Sequence, residues 1–413
     1  MTRLVAALRG GAWLNATRAR DYGIILFVLY LGGFAAAMVH NGAAGHGALD
    51  FTSFYAAGVQ SLRHAAQVYD TAAHLAAERA VTANPHLTYS YFFYPPLLLL
   101  VLAPLALLPY WPAFLVWELG QGALYVWVLR RMAKRSWPIM PMLAFPAGLW
   151  AVIVGQNALL TTGLFGAGLW ALARKREIPA GIAFGLICLK PHFGLLIPVA
   201  LLAGRHWRAI VAATLTVLIL AAATVPLFGF HVWPAFIHLF IGAATGIYGA
   251  AHVPPNWLMS PFGLVLALGG DRAVAWGLQG AVTVMAAILV AAIWRNRDHD
   301  PAARAIALLS GTLLAVPVML YYDAEPIALC LAWSALAARR GGWLPWEKSL
   351  YLAAFGISFL APPLRDILPV SPFLPLSVAL MALAWRRRMV GFDGFAGADG
   401  YDPPLRETSP TTR

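Results

Sequence analysis

The chain has 413 residues, of which 61% are apolar and 11% are charged. A soluble protein carries roughly a quarter charged residues, so this composition excludes a soluble globular enzyme. Lys and Arg outnumber Asp and Glu by 29 to 17. The excess falls in clusters between apolar segments, which is typical of cytoplasmic loops in membrane proteins and does not indicate a nucleic-acid partner.

Apolar segments recur along the whole chain, and a helix needs about 20 apolar residues to cross a bilayer. In chain order the segments are 24–39, 93–108, 112–129, 138–153, 158–173, 179–203, 207–227, 261–294, 302–320, 324–338, 347–362 and 367–385. They predict an all-α polytopic membrane protein with about 10 to 12 transmembrane helices, some broken or re-entrant. We expect residues 1–390 to form one integral membrane domain and the tail 391–413 to be disordered in the cytoplasm.

Basic clusters predict the orientation of the chain in the membrane. The clusters are Arg3/Arg9/Arg18/Arg20, Arg130/Arg131/Lys134/Arg135, Arg174–Arg176, Arg205/Arg208, Arg295/Arg297/Arg304, Arg339/Arg340 and Arg386–Arg388. If all of them are cytoplasmic, the opposite face receives Asp50, the turn at 155–157, the loop 228–260 and Asp323. Polar residues without basic neighbours therefore collect on the extracytoplasmic side.

Asp50 follows the first apolar segment, within Gly45–Gly58, in a chain that has few acidic residues. It opens a first extracytoplasmic loop, 40–92, in which Ser61–Val81 has the pattern of an amphipathic helix. A carboxylate where the chain leaves the bilayer can act as a general base at the lipid–water boundary. It can equally be a solvated loop carboxylate, and its position alone leaves both interpretations open.

Lys190 lies inside the apolar segment 179–203. Basic residues on both sides of this segment place its two ends on the same side of the membrane, but the segment is too short to cross the membrane twice. Pro191 predicts a broken helix there, as Pro95, Pro96 and Pro104 do in segment 93–108. Irregular backbone at membrane depth is tolerated only beside a cavity or within protein. Lys190 would need an anion from another helix or from a ligand, or it extends its ammonium group to the interface.

Further polar and aromatic residues have two interpretations each. Gln156 and Asn157 occupy an uncharged turn and can cap a helix or bind sugar hydroxyls. The aromatic cluster Tyr89, Tyr91, Phe92, Phe93 and Tyr94 can be an interfacial belt or a sugar-stacking surface. Asp323 and Glu325 lie in a short turn between two apolar segments, and Glu118 is expected in a helix–helix contact. The sequence has no zinc motif, Walker A motif or dinucleotide fingerprint, so we expect no metal and no cofactor.

Seven motifs, taken together and in their order along the chain, resemble those of glycosyltransferase family 87, a family of polytopic GT-C-type enzymes. They are Asp50–Gly58, Val68–Asp70, Phe92–Pro96, Pro104–Trp117, Gly155–Leu160, Leu189–Leu196 and Arg205–Trp207. The family includes the mycobacterial polyprenol-phosphate-mannose-dependent α-mannosyltransferases, and the resemblance covers about residues 45–340. It implies a GT-C-type helical bundle in the bacterial inner membrane with an extracytoplasmic active site.

The resemblance also implies a reaction, in which a sugar, here mannose, moves with inversion from a polyprenyl-phosphate donor to a hydroxyl of an envelope glycan or glycolipid. Asp50 would be the general base, and Lys190, with His192, is expected to hold the donor phosphate. Further expected substrate-binding residues are Tyr55, Tyr94, Gln156, Asn157, Asn256 and Asp323. No metal is demanded, because the leaving group is a lipid phosphate and not a nucleotide diphosphate.

Three alternatives stay open from the sequence. A transporter or flippase of lipid-linked sugars would have inverted repeats and charges at the membrane midplane. A scaffold subunit of envelope assembly would use Asp50 structurally. An enzyme of the same kind could use polyprenyl-phosphate arabinose or glucose, since Val316–Asp323 departs from the late Pro–x–x–Trp–x–His-like motif of actinobacterial members.

Overall fold

The computed structural model describes residues 2–43, 49–87, 92–133, 139–245, 253–296 and 300–389. Several predicted features lie outside these residues: the tail 391–413, the tyrosines Tyr89 and Tyr91, and the basic residues Lys134, Arg135 and Arg297. Within the described ranges the chain forms α-helices and short 3₁₀ turns without a β-strand. This confirms the predicted all-α fold class.

The first part of the bundle includes the helices of the predicted first loop. Its helices are α1 (Thr2–Gly10), α2 (Ala16–Ala43), α3 (Leu49–His64), α4 (Thr71–Thr82), α5 (Pro96–Leu105) and α6 (Tyr110–Met132). The middle part comprises α7 (Met140–Leu143), α8 (Pro146–Val154), α9 (Ala158–Ala173), α10 (Glu177–Leu186), α11 (Ile197–Ala203), α12 (Trp207–Phe228) and α13 (Val232–Thr245). The last part comprises α14 (Pro261–Ala267), α15 (Arg272–Arg295), α16 (Pro301–Ala315), α17 (Pro326–Gly341), α18 (Glu347–Leu364) and α19 (Phe373–Arg387).

Four helices in the described part are long and apolar enough to cross a membrane, namely α2, α6, α12 and α15. Six further apolar helical segments have 10 to 17 residues each. Few side chains of α2 and α12 are buried, as lipid-facing helices require, whereas every residue of α16 except Arg304 is buried. The protein is therefore an all-α polytopic membrane protein whose core is built around α16 and α17.

The first loop differs in one detail from its predicted pattern. The pattern over Ser61–Val81 is divided between α3, a 3₁₀ turn over Ala65–Tyr69, and α4. Asp70 separates the 3₁₀ turn from α4. Its carboxylate accepts a hydrogen bond from the backbone N–H of Ala73 (2.8 Å) and so caps α4. Helix α3 carries Asp50 in its first turn and packs on α5 through Gly58, where a Cβ would lie 2.5 Å from the Leu102 carbonyl oxygen.

The segment around Lys190 is a broken hairpin. Helix α10 passes into a 3₁₀ turn over Ile187–Leu189, and a second 3₁₀ turn over Pro191–Gly194 leads to α11. The two ends of the hairpin meet, because the Glu177 carboxylate lies 2.9 Å from His206 Nδ1 and accepts from the Arg208 backbone N–H at 3.2 Å. The chain thus returns to the end of the bundle from which it came, with Lys190 near the tip.

A buried ion pair holds the other end of the bundle. Arg387 of α19 is 1% exposed and pairs with Glu347 at the start of α18, which also accepts from Ser334. Beside it, Lys348 donates to the carbonyl oxygens of Gly11 (3.0 Å) and Leu14 (2.7 Å). These contacts tie α1, α17, α18 and α19 together where basic residues cluster, and leave the opposite end for the polar turns described next.

Candidate active site

Four separate parts of the chain bring polar side chains to the end of the bundle opposite the basic clusters. Asp50 lies in the first turn of α3, and Gln156 and Asn157 form the turn between α8 and α9. Lys190 is at the break after α10, and Asp323 lies in a 3₁₀ turn over Tyr321–Ala324, between α16 and α17. Hydrogen bonds join these residues in two groups.

The first group is centred on Gln156. Its side-chain Oε1 accepts from the Tyr94 hydroxyl (2.7 Å) and from the Asn157 backbone N–H (2.9 Å). Since both donors reach Oε1, the amide nitrogen Nε2 must point the other way. It donates to Asp50 Oδ2 at 3.0 Å, and this bond holds the carboxylate in one orientation.

Helix α6 holds the turn that carries Gln156. Gln121 Nε2 donates to the Gln156 carbonyl oxygen (3.2 Å), and Gln121 Oε1 accepts from the Leu160 backbone N–H (3.2 Å). Trp117 Nε1 donates to the Gly155 carbonyl oxygen at 3.0 Å. Sequence reasoning missed Trp117 and Gln121 as positioning residues, although a glutamine one turn after a tryptophan in an apolar segment is a signal that could have found them.

Gly155 lets the turn approach α3 closely. Its φ is +76°, in the left-handed region that glycine adopts readily. A Cβ at this position would lie 2.4 Å from Phe51 Cβ and 3.2 Å from the Phe51 backbone nitrogen, next to Asp50. The contact between the turn and the helix that carries Asp50 therefore requires glycine.

We expect Gly155→Ala to lower both stability and activity. Crowding Phe51 should cost about 1–3 kcal/mol and displace Asp50 from Gln156. Thermal unfolding in detergent and sugar-transfer assays would measure the two effects. The matched control is Gly120→Ala, because no atom lies within 4 Å of a Cβ at that position in α6. Identical behaviour of the two variants would contradict the close approach.

The second group is centred on Lys190. Its Nζ donates to Asp323 Oδ1 at 2.5 Å and to Asn157 Oδ1 at 3.1 Å. Lys190, Asp323 and Asn157 are 3%, 4% and 1% exposed, respectively. The ring of Phe193 lies 4.9 Å from the ammonium nitrogen. Asn157 adjoins Gln156, so the two groups meet in the same turn, and the charge of Lys190 is balanced by Asp323.

Burial raises the pKa of Asp50 from 3.8 to about 6. The hydrogen bond from Gln156 and the charge of Lys190 oppose the shift, while Asp323 and Glu78 add to it. The side chain is nevertheless partly exposed. A partly exposed carboxylate that is ionised at neutral pH, yet more basic than an ordinary aspartate, is suited to accept a proton.

The family model of glycosyltransferase family 87 matches residues 92–320, more than half of the 413 residues. The chain belongs to glycosyltransferase family 87. The matched segment carries Tyr94, Gln156, Asn157 and Lys190, whereas Asp50 and Asp323 lie outside it. The predicted family is thereby confirmed.

Two curated relatives are similar to this family 87 glycosyltransferase over a shorter range. Both are named alpha-(1->3)-arabinofuranosyltransferase and come from Mycobacterium tuberculosis, strains CDC 1551 / Oshkosh and ATCC 25618 / H37Rv. Each is 31% identical over 160 residues, which cover 35% of this chain and 37% of the relative. The match thus spans little more than a third of each relative's length. No solved structure matches the chain.

Two predicted site residues of this glycosyltransferase, Tyr55 and Asn256, have their described contacts elsewhere. The Tyr55 hydroxyl donates to the Leu108 carbonyl oxygen at 2.8 Å, and its ring packs against Tyr110. His192, in contrast, is exposed and packs against Phe193, whose ring also contacts Lys190. Asn256 Nδ2 donates to the backbone oxygens of Arg365 (2.6 Å) and Leu368 (3.1 Å). Asn256 therefore holds the loop between α18 and α19, and its role as a substrate contact stays a prediction.

The turn that carries Asp323 also brings two tyrosines to the site. The Tyr322 ring centroid lies 6.0 Å from Lys190 Nζ, and the Tyr321 ring packs against Tyr322 at 5.3 Å and Trp150 at 6.1 Å. Glu325 is fully buried after this turn. Among the described residues, no group of three or more His, Cys, Asp and Glu side chains could hold a metal ion. The expectation that the enzyme needs no cofactor stays a prediction.

Proposed function

We propose that this glycosyltransferase moves a sugar from a polyprenyl-phosphate donor to a hydroxyl of an envelope glycan or glycolipid, with Asp50 as the general base. The observation that carries the proposal is the geometry of Asp50. Gln156 binds its Oδ2 at 3.0 Å, burial raises its pKa to about 6, and the side chain still reaches solvent. Residues 1–390 would act as one domain of the bacterial inner membrane, with the site on the extracytoplasmic face.

The proposed reaction needs two groups from the protein, a base and a cation. A sugar phosphate ester already carries its leaving group, so the acceptor hydroxyl must lose a proton while charge develops on the departing phosphate. Asp50 would take that proton on Oδ1, because Gln156 occupies Oδ2. The acceptor oxygen forms the new glycosidic bond as the bond from the anomeric carbon to the phosphate oxygen breaks. Attack from the opposite side inverts the anomeric centre.

Two observations favour two different classes of donor sugar. The ordered motifs resemble those of mannosyltransferases and favour mannose. The similarity to arabinofuranosyltransferases favours a pentofuranose. Neither class changes the roles of Asp50 and Gln156, because both donors would present an anomeric carbon bonded to a lipid phosphate.

A donor panel tests the proposed function. Purified protein would be incubated with radiolabelled polyprenyl-phosphate mannose, arabinofuranose or glucose, and with envelope glycolipids as acceptors. Transfer of label from one donor to the glycolipid fraction is the expected result. Movement of a lipid-linked sugar across reconstituted vesicles, with no transfer to any acceptor, would instead support the flippase and overturn the proposal.

The pH dependence of transfer should report the ionisation of Asp50. A general base works in its deprotonated form, and the pKa of Asp50 is raised to about 6. We therefore expect kcat/KM to be level above this pH and to fall about tenfold per pH unit below it. Steady-state rates measured on both sides of pH 6 would show this profile, whereas a midpoint near the ordinary aspartate pKa would contradict the buried environment.

A further inference from the structure

Arg365 lies between α18 and α19, beyond the family-matched segment 92–320. Its guanidinium carbon lies 3.9 Å from the ring centroid of Trp257 and 5.5 Å from that of Tyr321. Arg365 Nη1 also donates to the Tyr321 hydroxyl at 3.3 Å. The side chain is therefore held between two aromatic residues, one of which belongs to the turn that carries Asp323.

The loop around Arg365 is fixed from both sides. Asn256 Nδ2 donates to the Arg365 carbonyl oxygen (2.6 Å), and Trp257 Nε1 donates to Asp366 Oδ1 (3.0 Å). Arg365 Nε lies 3.9 Å from Asp366 Oδ2, and the Asp366 side chain is 71% exposed. An exposed pair at this distance contributes little energy, so the guanidinium keeps most of its capacity to bind another anion.

The charges of the neighbouring site require such a cation. Among Asp50, Asp323 and Lys190, two carboxylates face one ammonium group, and Lys190 is already bound to Asp323 at 2.5 Å. A donor phosphate entering this group would meet net negative charge. Tyr321 and Tyr322 connect the group to Arg365, because Tyr322 contacts Lys190 and Tyr321 contacts Arg365.

Arg365 also borders a small open cavity that lies next to exposed apolar side chains. The cavity is small, with about 10 Å³ of internal space, and opens to its surroundings, and its apolar lining comes from the end of α18 and the start of α19. These lining residues include Ala361, Pro362, Leu368 and Phe373. Beside it, Leu360, Leu364 and Ile367 are 51%, 39% and 78% exposed, as expected of a surface that faces lipid. The ligand chemistry is thus an anion attached to an apolar chain.

We propose that Arg365 binds the phosphate of the lipid-linked donor and that the exposed apolar side chains beside the cavity contact its first isoprene units. A guanidinium can donate two parallel hydrogen bonds to a phosphate, which a lysine ammonium cannot. Lys190 then acts as the structural partner of Asp323. This inference rests on the proposed function, because it assumes a polyprenyl-phosphate donor.

Binding of the lipid alone, without any sugar, tests the inference. Polyprenyl monophosphate would be titrated into purified wild-type protein, Arg365→Gln and Arg365→Lys, with neutral polyprenol and inorganic phosphate as separate probes. Arg63→Gln is the matched control, because Arg63 is an exposed arginine in the last turn of α3. Thermal unfolding of each variant would show whether it is folded.

We expect Arg365→Gln to weaken binding of polyprenyl monophosphate at least tenfold, Arg365→Lys to weaken it less, and Arg63→Gln to leave it unchanged. Binding of neutral polyprenol should not respond to either change at Arg365. Inorganic phosphate that binds as tightly as the lipid would overturn the part assigned to the apolar side chains Leu360, Leu364 and Ile367. If Arg365→Gln does not fold, the affinity of Arg365→Lys for polyprenyl monophosphate, compared with that of the wild type, tests the role of Arg365.

Two outcomes separate this inference from the proposed function. If the wild type does not bind polyprenyl monophosphate, the polyprenyl-phosphate donor itself is wrong. If the wild type binds and the Arg365 variants bind within twofold of it, the assignment of Arg365 is wrong while the donor stands. In transfer assays, a raised KM for the donor supports the donor phosphate as the ligand, whereas a raised KM for the acceptor alone would assign Arg365 to an acceptor anion and overturn the proposal.

Discussion

Asp50→Asn is expected to lower kcat for sugar transfer by about 10²- to 10⁴-fold, the usual contribution of a general base. Asparagine keeps the size of the side chain, and its amide oxygen can still accept the hydrogen bond from Gln156 Nε2. It cannot take a proton from the acceptor hydroxyl. Single-turnover transfer from a labelled donor would measure the loss, and the KM for the donor should change little.

The same variant should remain folded. The pKa of Asp50 in the folded protein, about 6, lies above its ordinary value of 3.8, so folding disfavours the carboxylate. This cost is absent below the ordinary pKa, grows between the two values and is complete above about pH 6. At neutral pH, asparagine removes the cost, so the melting temperature should be equal or higher.

Asp70→Asn is the matched control, because it makes the same change of charge in the same loop. Asp70 caps α4 through the Ala73 backbone N–H, and asparagine is an equally good helix cap. We expect near wild-type transfer from this variant. Near wild-type transfer from Asp50→Asn as well would show that the base lies elsewhere.

Lys190→Met is expected to destabilise the protein by about 3–5 kcal/mol, because it leaves the Asp323 carboxylate buried without its cation. Asp323 is 4% exposed and bonds to Lys190 at 2.5 Å. The double variant Lys190→Met/Asp323→Leu should regain most of the loss, since two apolar side chains can replace a buried ion pair. Equilibrium unfolding in detergent would measure the series, with Lys175→Met at an exposed position as the control.

The double variant also separates two roles for Lys190. If Lys190 mainly balances Asp323, donor binding should survive when both charges are removed together. If Lys190 holds the donor phosphate, as the sequence predicts, the double variant should be folded but should bind polyprenyl monophosphate poorly. A single variant cannot make this distinction, because loss of stability would accompany loss of binding.

Several candidate residues could be identified from the sequence, because burying polar groups in a membrane has a high free-energy cost. Gln156, Asn157, Lys190 and Asp323 each interrupt an apolar segment or join two of them. Pro191 marked the break beside Lys190, and the structure has the break there. Asp50 could be singled out by its position after the first apolar segment together with the family motifs.

Other features required contacts between distant parts of the chain. Lys190 and Asp323 are 133 residues apart, and nothing local indicates that one neutralises the other. Gln121 and Trp117 act through the backbone of the turn at Gly155, which is visible only when α6 packs beside it. Arg365 did carry a signal, since it lies at the end of the bundle away from the basic clusters, but its ligand class depends on Trp257, Tyr321 and the exposed apolar side chains beside it.

Local patterns in the sequence were enough to predict the all-α membrane fold, the family and the acidic residue proposed as base. These follow from hydropathy, helix-breaking prolines and short motifs, which act over neighbouring residues and do not depend on how helices pack. The tertiary structure alone decided how the charges are distributed. It pairs Lys190 with Asp323, orients Asp50 through Gln156 and places Arg365 beside an apolar cavity, because electrostatic energy depends on distance and burial, which only the packed bundle defines.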